Sequence, residues 1–483
     1  MRKMLGRPGM ILFSGLLLLT TGLLAMLGGC GGGSTSLNSP PPPSRKIQHV
    51  VVIFQENRTP DNLFQDPILI GKGADIQTFG IDSTGKQIPL TPAPLKTDYD
   101  MGHGHRSFLD LYDNGKMDGA NLNSVKCISG APPSCPPPNP WFYSVQASDV
   151  QPYFTLAETY TFGDRMFQTN QGPSFPAHQF MLSGTSIPSD GSNLFVSENP
   201  VLGPDPFDNA GCIAPPEERV NVIDPSGNEA QQIYPCFEHA TLTDVLNTAN
   251  ISWRYYSPSA GIIWNTPAAI QHMCVPNLPP PNGTLCTGAD WTNNVVLNSA
   301  QVLTDIASGQ LASVSWVIPR GQASDHPGIS DGSGPSWVAS VVNAIGNSQY
   351  WANTAIIITW DDWGGWYDHV TPATPTGPGL INSYEYGFRV PLIVVSPYAK
   401  AKYISHQVND FGSILKFIEG NFGLSHVAPA ASPAYADATT NTGDLSDCFN
   451  FNQTPLTFHP IAARLNAKYF VEDKSPPTDP DDD

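Results

Sequence analysis

The chain has 483 residues with 40% hydrophobic content, 48 Pro and 43 Gly, which suits a globular protein with a sizeable core and many long loops. Its formal net charge of -19, from 42 acidic against 23 basic residues, repels a phosphate backbone and argues against general nucleic-acid binding. An anionic substrate would therefore need a local positive centre, either a metal ion or a focused group of His, Arg and Lys. Length alone allows two or three domains, or one large α/β domain with insertions.

Arg2, Lys3 and Arg7 precede an apolar run from Met10 to Leu27 that ends in Gly28-Gly29-Cys30. This reads as a lipoprotein-type signal peptide over residues 1–30, with Cys30 as the lipidated N-terminus of an exported, envelope-bound protein. An uncleaved membrane anchor is the competing reading. Residues 31–44, Gly/Ser-rich and then Pro-rich, form a tether. In an oxidising compartment the remaining cysteines pair plausibly as near neighbours, Cys127–Cys135, Cys212–Cys236 and Cys274–Cys286, each stapling a Pro/Gly-rich insertion, with Cys448 left over. Cys/His spacing for a structural zinc site is absent.

Order is expected from Ile47, where the apolar run to Phe54 reads as a strand buried on both faces. It leads into Gln55-Glu56-Asn57-Arg58-Thr59-Pro60, a strand end with a carboxylate and an amide followed by a helix start. Residues 65–140 read as mostly irregular and contain Gly102-His103-Gly104-His105. A helix is expected over residues 153–159. Ser174, before Phe175-Pro176 and an apolar run, falls at a helix N-cap or first turn. A capping serine is the commoner use of that position, but a hydroxyl at a helix N-terminus also faces a natural phosphate seat.

Further strand-like runs are 251–256, 312–319, 354–359 and 389–397, and helical runs are 243–249, 295–311, 336–345 and 413–422. Strands alternating with helices indicate an α/β fold with a largely parallel sheet covered by helices on both faces. His326 lies in a loop just past one strand end. Trp360-Asp361-Asp362-Trp363-Gly364-Gly365-Trp366-Tyr367-Asp368-His369 follows another. Neighbouring side chains on a strand point to opposite faces, so Asp361 and Asp362 converge only if the strand has already turned, which the glycines permit. The pair Trp363 and Trp366, and the pair Tyr255 and Tyr256, could line a lipid-facing mouth or pack in the core. Domain boundaries are drawn at residues 45–427 for a catalytic domain and 428–483 for a polar C-terminal segment with an acidic tail.

Collected at strand ends are Glu56, Asn57, Ser174, His326, Asp361, Asp362 and His369. Three carboxylates and an amide are hard ligands for a divalent cation, and a hydroxyl with two imidazoles can attack phosphorus and move protons. A nucleotide-binding Gly-rich loop with Lys is absent, and Ser174 does not stand in a Gly-x-Ser-x-Gly motif.

The blocks HVVVIFQENRTPDNLF, GPSFPAHQFMLSGTS, SDHPG, TWDDWGGWYDHV and RVPLIVVSPYAK, in this order, resemble the bacterial phosphoesterase family of non-specific phospholipases C and related acid phosphatases, within the alkaline-phosphatase-like superfamily. The resemblance implies that Glu56 and Asn57 bind metal and phosphate and that Ser174 is the nucleophile. It implies that Asp361 and Asp362 complete the metal site, and that His326 and His369, with His105 as a further candidate, bind phosphate or act as acid and base. The implied cofactor is a divalent metal ion, and the implied partners are a phosphate ester or phospholipid and, through the lipid anchor, a membrane. Phospholipase members resemble Gly-Pro-Thr and Asp-Glu where this chain has Gly-Pro-Ser and Asp-Asp, and many carry Arg where His178 stands. The first two departures lean toward a monoesterase, with phospholipase C as the alternative. A non-catalytic surface lipoprotein is the reading from another class.

Overall fold

The computed structural model describes residues 45–200, 210–372, 384–428, 435–439 and 441–477. The signal peptide, Cys30, the tether and the acidic tail lie outside the described residues. The remainder is built on one eight-stranded sheet. From edge to edge its strands are Val295–Val296, Trp253–Tyr256, Val314–Val317, His49–Gln55, Thr354–Trp360, Leu392–Val395, Thr161–Gly163 and Tyr403–Ser405. All run parallel except Leu392–Val395, which is antiparallel to both neighbours.

Every residue of Thr354–Trp360 is buried. Since alternate side chains face opposite ways, both faces of the sheet are covered, and this is why the strand reads as an unbroken apolar run. Each fully buried Ile there contributes roughly 1.5–3 kcal/mol. The covering helices fall into two groups. Ala147–Thr159, Gln301–Ala307, Gly334–Gly346 and Ala467–Glu472 pack in one series, and Ser174–Ser183, Leu242–Thr248, Thr266–Ala269 and Phe411–Phe422 include the other contacts.

Register is what the fold contributes to the site. Gln55 pairs with Trp360 and Ile53 with Val317, so the residues that leave these three central strands do so side by side. In an open α/β sheet this carboxyl edge is where ligands bind.

All three expected disulfides form, and Cys448 is buried and unbridged. Several local expectations are corrected. The 295–311 stretch is not one helix: Val295–Val296 is an edge strand and the helix spans Gln301–Ala307. The supposedly irregular 65–140 region holds the helix His105–Tyr112 and short two-stranded ribbons. Thr161–Gly163 and Tyr403–Ser405 join the sheet although three residues are too few for a visible alternation. Trp363, Trp366, Tyr255 and Tyr256 are all buried, so they pack in the core rather than line a mouth.

The stretch after 428 includes a helix, Ala467–Glu472, that is joined to the same compact unit. Phe470 stacks edge-on against Trp337 with centroids 5.3 Å apart, and Trp351 packs on Phe458 at 5.0 Å. Phe470→Ala is therefore expected to lower unfolding free energy by about 3 kcal/mol. Urea unfolding followed by tryptophan fluorescence checks this, and an unchanged midpoint would mean that the helix is not part of the cooperative unit.

Candidate active site

At the end of the Thr354–Trp360 strand the backbone makes one more ladder bond, Asp361 N–H to Gln55 O at 3.0 Å, and then turns. Asp361 Oδ1 accepts two backbone N–H groups, from Asn57 at 3.0 Å and from Asp362 at 2.7 Å. The turn needs its glycines. Gly364 has φ +61°, and a Cβ there would stand 2.5 Å from both Cβ and O of Asn57. Asn57 itself sits in the left-handed region at φ +63°, which Asn tolerates better than most residues. Both acidic side chains thus point inward from a turn, as the glycine pair suggests.

Ser174 is the first residue of the helix Ser174–Ser183, with Pro173 at the cap position. Its hydroxyl donates to Asp362 Oδ2 at 3.2 Å. One turn along the same helix, His178 places Nε2 3.3 Å from Glu56 Oε1 and 3.9 Å from Asp361 Oδ2. The side chains at i and i+4 share a helix face, so one helix serves both the hydroxyl and the acidic pair.

Glu56, Ser174, Asp361 and Asp362 are each 0% exposed. Burial, then Asp361, Asp362 and Asp325, push the Glu56 carboxyl well above its ordinary range. Burial and then Asp361 do the same to Asp362. Burial also pushes Asp361 upward, but the hydrogen bond from Glu56 and the backbone N–H of Asn57 hold it below the usual range. Burial holds the His178 imidazole down to about 4, so at neutral pH it is an uncharged ligand rather than a counter-ion.

Three carboxylates in one dry pocket beside a neutral imidazole are not all ionised without a cation. Both oxygens of Glu56, Oδ1 of Asn57 and Oδ2 of Asp361 find no hydrogen bond of normal geometry, although Glu56 and Asp361 are close enough to share a proton. Glu56, His178 and Asp361 bring one donor atom each within 4.8 Å of one another, a set that fits a divalent metal ion, with Asn57 and Asp362 beside it.

Two imidazoles flank this set. His103 Nδ1–H donates to the Met101 carbonyl at 2.7 Å, so its Nε2 is the acceptor for the Asn57 amide at 3.1 Å. His326 Nδ1–H donates to the Pro327 carbonyl at 2.7 Å. The rings stand 5.9 Å apart, and both bear electrostatically on Asp362. Trp264 packs 6.2 Å from His178 and from His326. The His326 loop is held by Glu56 N–H donating to Ser324 O at 2.8 Å and by the Arg58 guanidinium on the Asp325 carbonyl at 2.7 and 3.0 Å. Asp325 lies buried beneath it at φ +74°, its Oδ2 accepting from Tyr153 at 2.7 Å and from Trp360 at 3.2 Å.

A model of the Phosphoesterase family matches residues 47–425 of this architecture. The chain belongs to the phosphoesterase family. Phospholipase C B of Mycobacterium tuberculosis is 26% identical, aligned over 87% of this chain and 81% of its own. Hemolytic phospholipase C of Pseudomonas aeruginosa is 24% identical over 84% of this chain and 56% of its own. Among solved structures, a protein of the alkaline phosphatase superfamily from Vibrio parahaemolyticus is similar at TM-score 0.32 and 9% identity, covering 79% of this chain and 68% of that one. The lipoteichoic acid synthase LtaP from Listeria monocytogenes is similar at TM-score 0.36 and 8% identity, covering 83% and 77%. This phosphoesterase is a hydrolase acting on phosphoric ester bonds.

Of the residues expected at strand ends, the fold gathers Glu56, Asn57, Ser174, Asp361, Asp362 and His326. It does not bring His105 or His369 to them. His105 opens the helix His105–Tyr112 and turns to Glu229, with Nδ1 3.1 Å from Oε1. His369 has both ring nitrogens on carboxylates, Asp61 at 2.7 Å and Asp75 at 3.0 Å. From the Gly-His-Gly-His motif it is His103, rather than His105, that reaches the site, against the Asn57 amide. The choice between the two imidazoles depends on where the following helix begins. His178 was visible only as a departure from the family pattern, while its spacing from Ser174 was the signal that it shares the site face.

Two outcomes follow from this geometry. Calorimetric titration of the metal-free chain with Mn2+ at pH 7 should release at least one proton per ion, seen as a buffer-dependent heat, because raised carboxyls must ionise to bind. Affinity should accordingly rise with pH until those groups are ionised. Gly364→Ala should cost more than about 2 kcal/mol in unfolding free energy, from the left-handed backbone together with the contact on Asn57.

Proposed function

We propose that the chain is an exported, metal-dependent phosphoesterase that works through Ser174 as nucleophile. The observation that carries this is the Ser174 hydroxyl at a helix N-terminus, bonded to Asp362 beside the unsatisfied oxygens of Glu56, Asn57 and Asp361. Glu56, Asn57, Asp361 and Asp362, with His178, would hold the ion. When bound, it supplies positive charge that acidifies a nearby hydroxyl and neutralises phosphoryl oxygens.

In this reading the Ser174 proton passes to Asp362 as Oγ attacks phosphorus. The ester P–O bond breaks, and a protonated His326 gives its Nε2 proton to the leaving oxygen. His103, held through Asn57, lies beside the same carboxylate. Water then attacks the phosphoserine and gives its proton to His326 Nε2, the P–O bond to Ser174 breaks as Asp362 returns the proton to Oγ, and inorganic phosphate or a phosphomonoester leaves. The helix dipole at Ser174 favours the extra negative charge.

For the substrate, Ser174 in Gly-Pro-Ser and the Asp361-Asp362 pair support a monoester. A phospholipid headgroup diester is the second reading, favoured by the curated relatives, which carry the name phospholipase C. Export and lipidation at Cys30 rest on the N-terminal sequence, and the three disulfides support an oxidising compartment.

The test is Ser174→Ala in the full chain, assayed on an aryl phosphate monoester and on phosphatidylcholine, each with and without chelator. Turnover should fall at least about 1,000-fold in the variant, in line with removal of an activated nucleophile, and should vanish on chelation in the wild type. Hydrolysis of the monoester alone supports the phosphatase, and release of diacylglycerol supports the phospholipase. Undiminished turnover by Ser174→Ala would reject the serine mechanism.

A further inference from the structure

His369 belongs to the same signature block as Asp361 and Asp362, yet it faces away from them into a dense ionic junction. Its Nδ1 is 2.7 Å from Asp61 Oδ2 and its Nε2 is 3.0 Å from Asp75 Oδ1. Carboxylate oxygens accept, so both ring nitrogens must carry hydrogen, and the geometry describes an imidazolium. Asp61 Oδ2 also accepts the His369 backbone N–H at 2.9 Å.

By residue type, Asp61, Asp368 and His369 could hold a metal ion. Arg389 takes that place instead. Its fully buried guanidinium grips Asp368 through Nε and Nη2, both at 2.9 Å, and reaches Asp61 Oδ1 at 3.3 Å. Its Nη1 donates to the carbonyls of Asp75 at 2.7 Å and Asp164 at 2.9 Å. One step further out, Arg165 pairs with Asp75, and His406 pairs with Asp164 at 2.9 Å.

The junction ends a zipper between the two turns that carry the acidic set. From the site outward, Asn57 N–H bonds Asp361 Oδ1, Arg58 N–H bonds Asp362 O at 3.0 Å, and the Thr59 hydroxyl bonds Tyr367 O at 2.9 Å. The Asp61–His369 pair is the last tooth. A slip there is passed along this short ladder of backbone and side-chain hydrogen bonds to the donors of Glu56, Asn57, Asp361 and Asp362.

We propose that His369 is a positioning residue: as an imidazolium held by Asp61 and Asp75, it locks the Glu56–Asn57 turn to the Asp361–Asp362 turn, and loss of its proton loosens that lock. The inference rests on the metal and serine reading above. The groups facing His369 are Asp61, Asp75, Asp368 and Arg389. Burial opposes its charge, but the hydrogen bond and charge of Asp61 with the charge of Asp368 outweigh burial and the Arg389 charge, and its pKa is raised. Its side chain is 20% exposed, so it can exchange protons with solvent. A raised folded-state pKa contributes stability that is complete below the ordinary value of about 6.5 and is lost as pH rises through the folded value.

The test compares wild-type full chain with His369→Ala and His369→Asn, whose amide nitrogen can replace Nδ1 on Asp61. In metal-free protein, the gap in Tm between wild type and His369→Asn should be widest below about pH 6.5 and close as pH rises. Mn2+ affinity by calorimetry should fall about 10–100-fold in His369→Ala and recover largely in His369→Asn. Two results would overturn the proposal: equal loss of kcat in both variants with unchanged Mn2+ affinity, which would make His369 act on substrate, or no change in any measure. If His369→Ala does not fold, Asp75→Asn serves in its place. Removing that carboxylate should move the alkaline fall in wild-type Tm to lower pH, and an unmoved fall counts against the lock. Ser174→Ala separates the two readings, since it removes turnover without touching the pH-dependent Tm gap.

Discussion

Everything at this site depends on Asp361 Oδ1 accepting the backbone N–H groups of Asn57 and Asp362 at once. That double bond fixes where two adjacent strand ends part from the sheet. It is possible only because Gln55 and Trp360 are in register and because Gly364 lets the second turn close over Asn57. The remaining Asp361 oxygen is left facing Glu56 and His178. Backbone N–H groups therefore aim Asp361 through one oxygen, and its other oxygen is left to the acidic cluster.

The site is also a place of deliberate electrostatic conflict. Buried carboxylates without matching positive charge raise one another's pKa, and a neutral imidazole does not relieve them. Around this unbalanced centre two buried arginines are each matched to acceptors. Arg58 spends its guanidinium on the Asp325 and Leu95 carbonyls and stacks 4.8 Å over Trp366. Arg389 neutralises Asp61 and Asp368. Two buried arginines thus stiffen the frame while the acidic set stays open to a cation, a contrast expected where ion binding drives function.

Much of this was legible in the residues. Apolar β-branched runs mark strands buried on both faces, and Pro60, Pro173 and the Gly364-Gly365 pair mark where strands yield to turns and helices. Near-neighbour cysteines paired as spacing suggested. The two three-residue strands were not legible, since three residues carry no period, nor was the break inside 295–311, where helix-compatible residues were drawn into a sheet edge by pairing with Tyr255 and Tyr256.

The histidines divide what sequence and structure each decide. Sequence alone determined the kind of chemistry: hard oxygen donors at successive strand ends, a serine at a helix start and imidazoles in nearby loops, because residue type fixes ligand hardness, nucleophilicity and proton affinity. Only the tertiary structure decided which imidazole serves it. His103 enters the site and His105 leaves it because the helix begins between them. His178 joins because it lies one turn from Ser174, and His369 is drawn off by Asp61 and Asp75. Direction is a property of long-range register and packing, and no local pattern carries it.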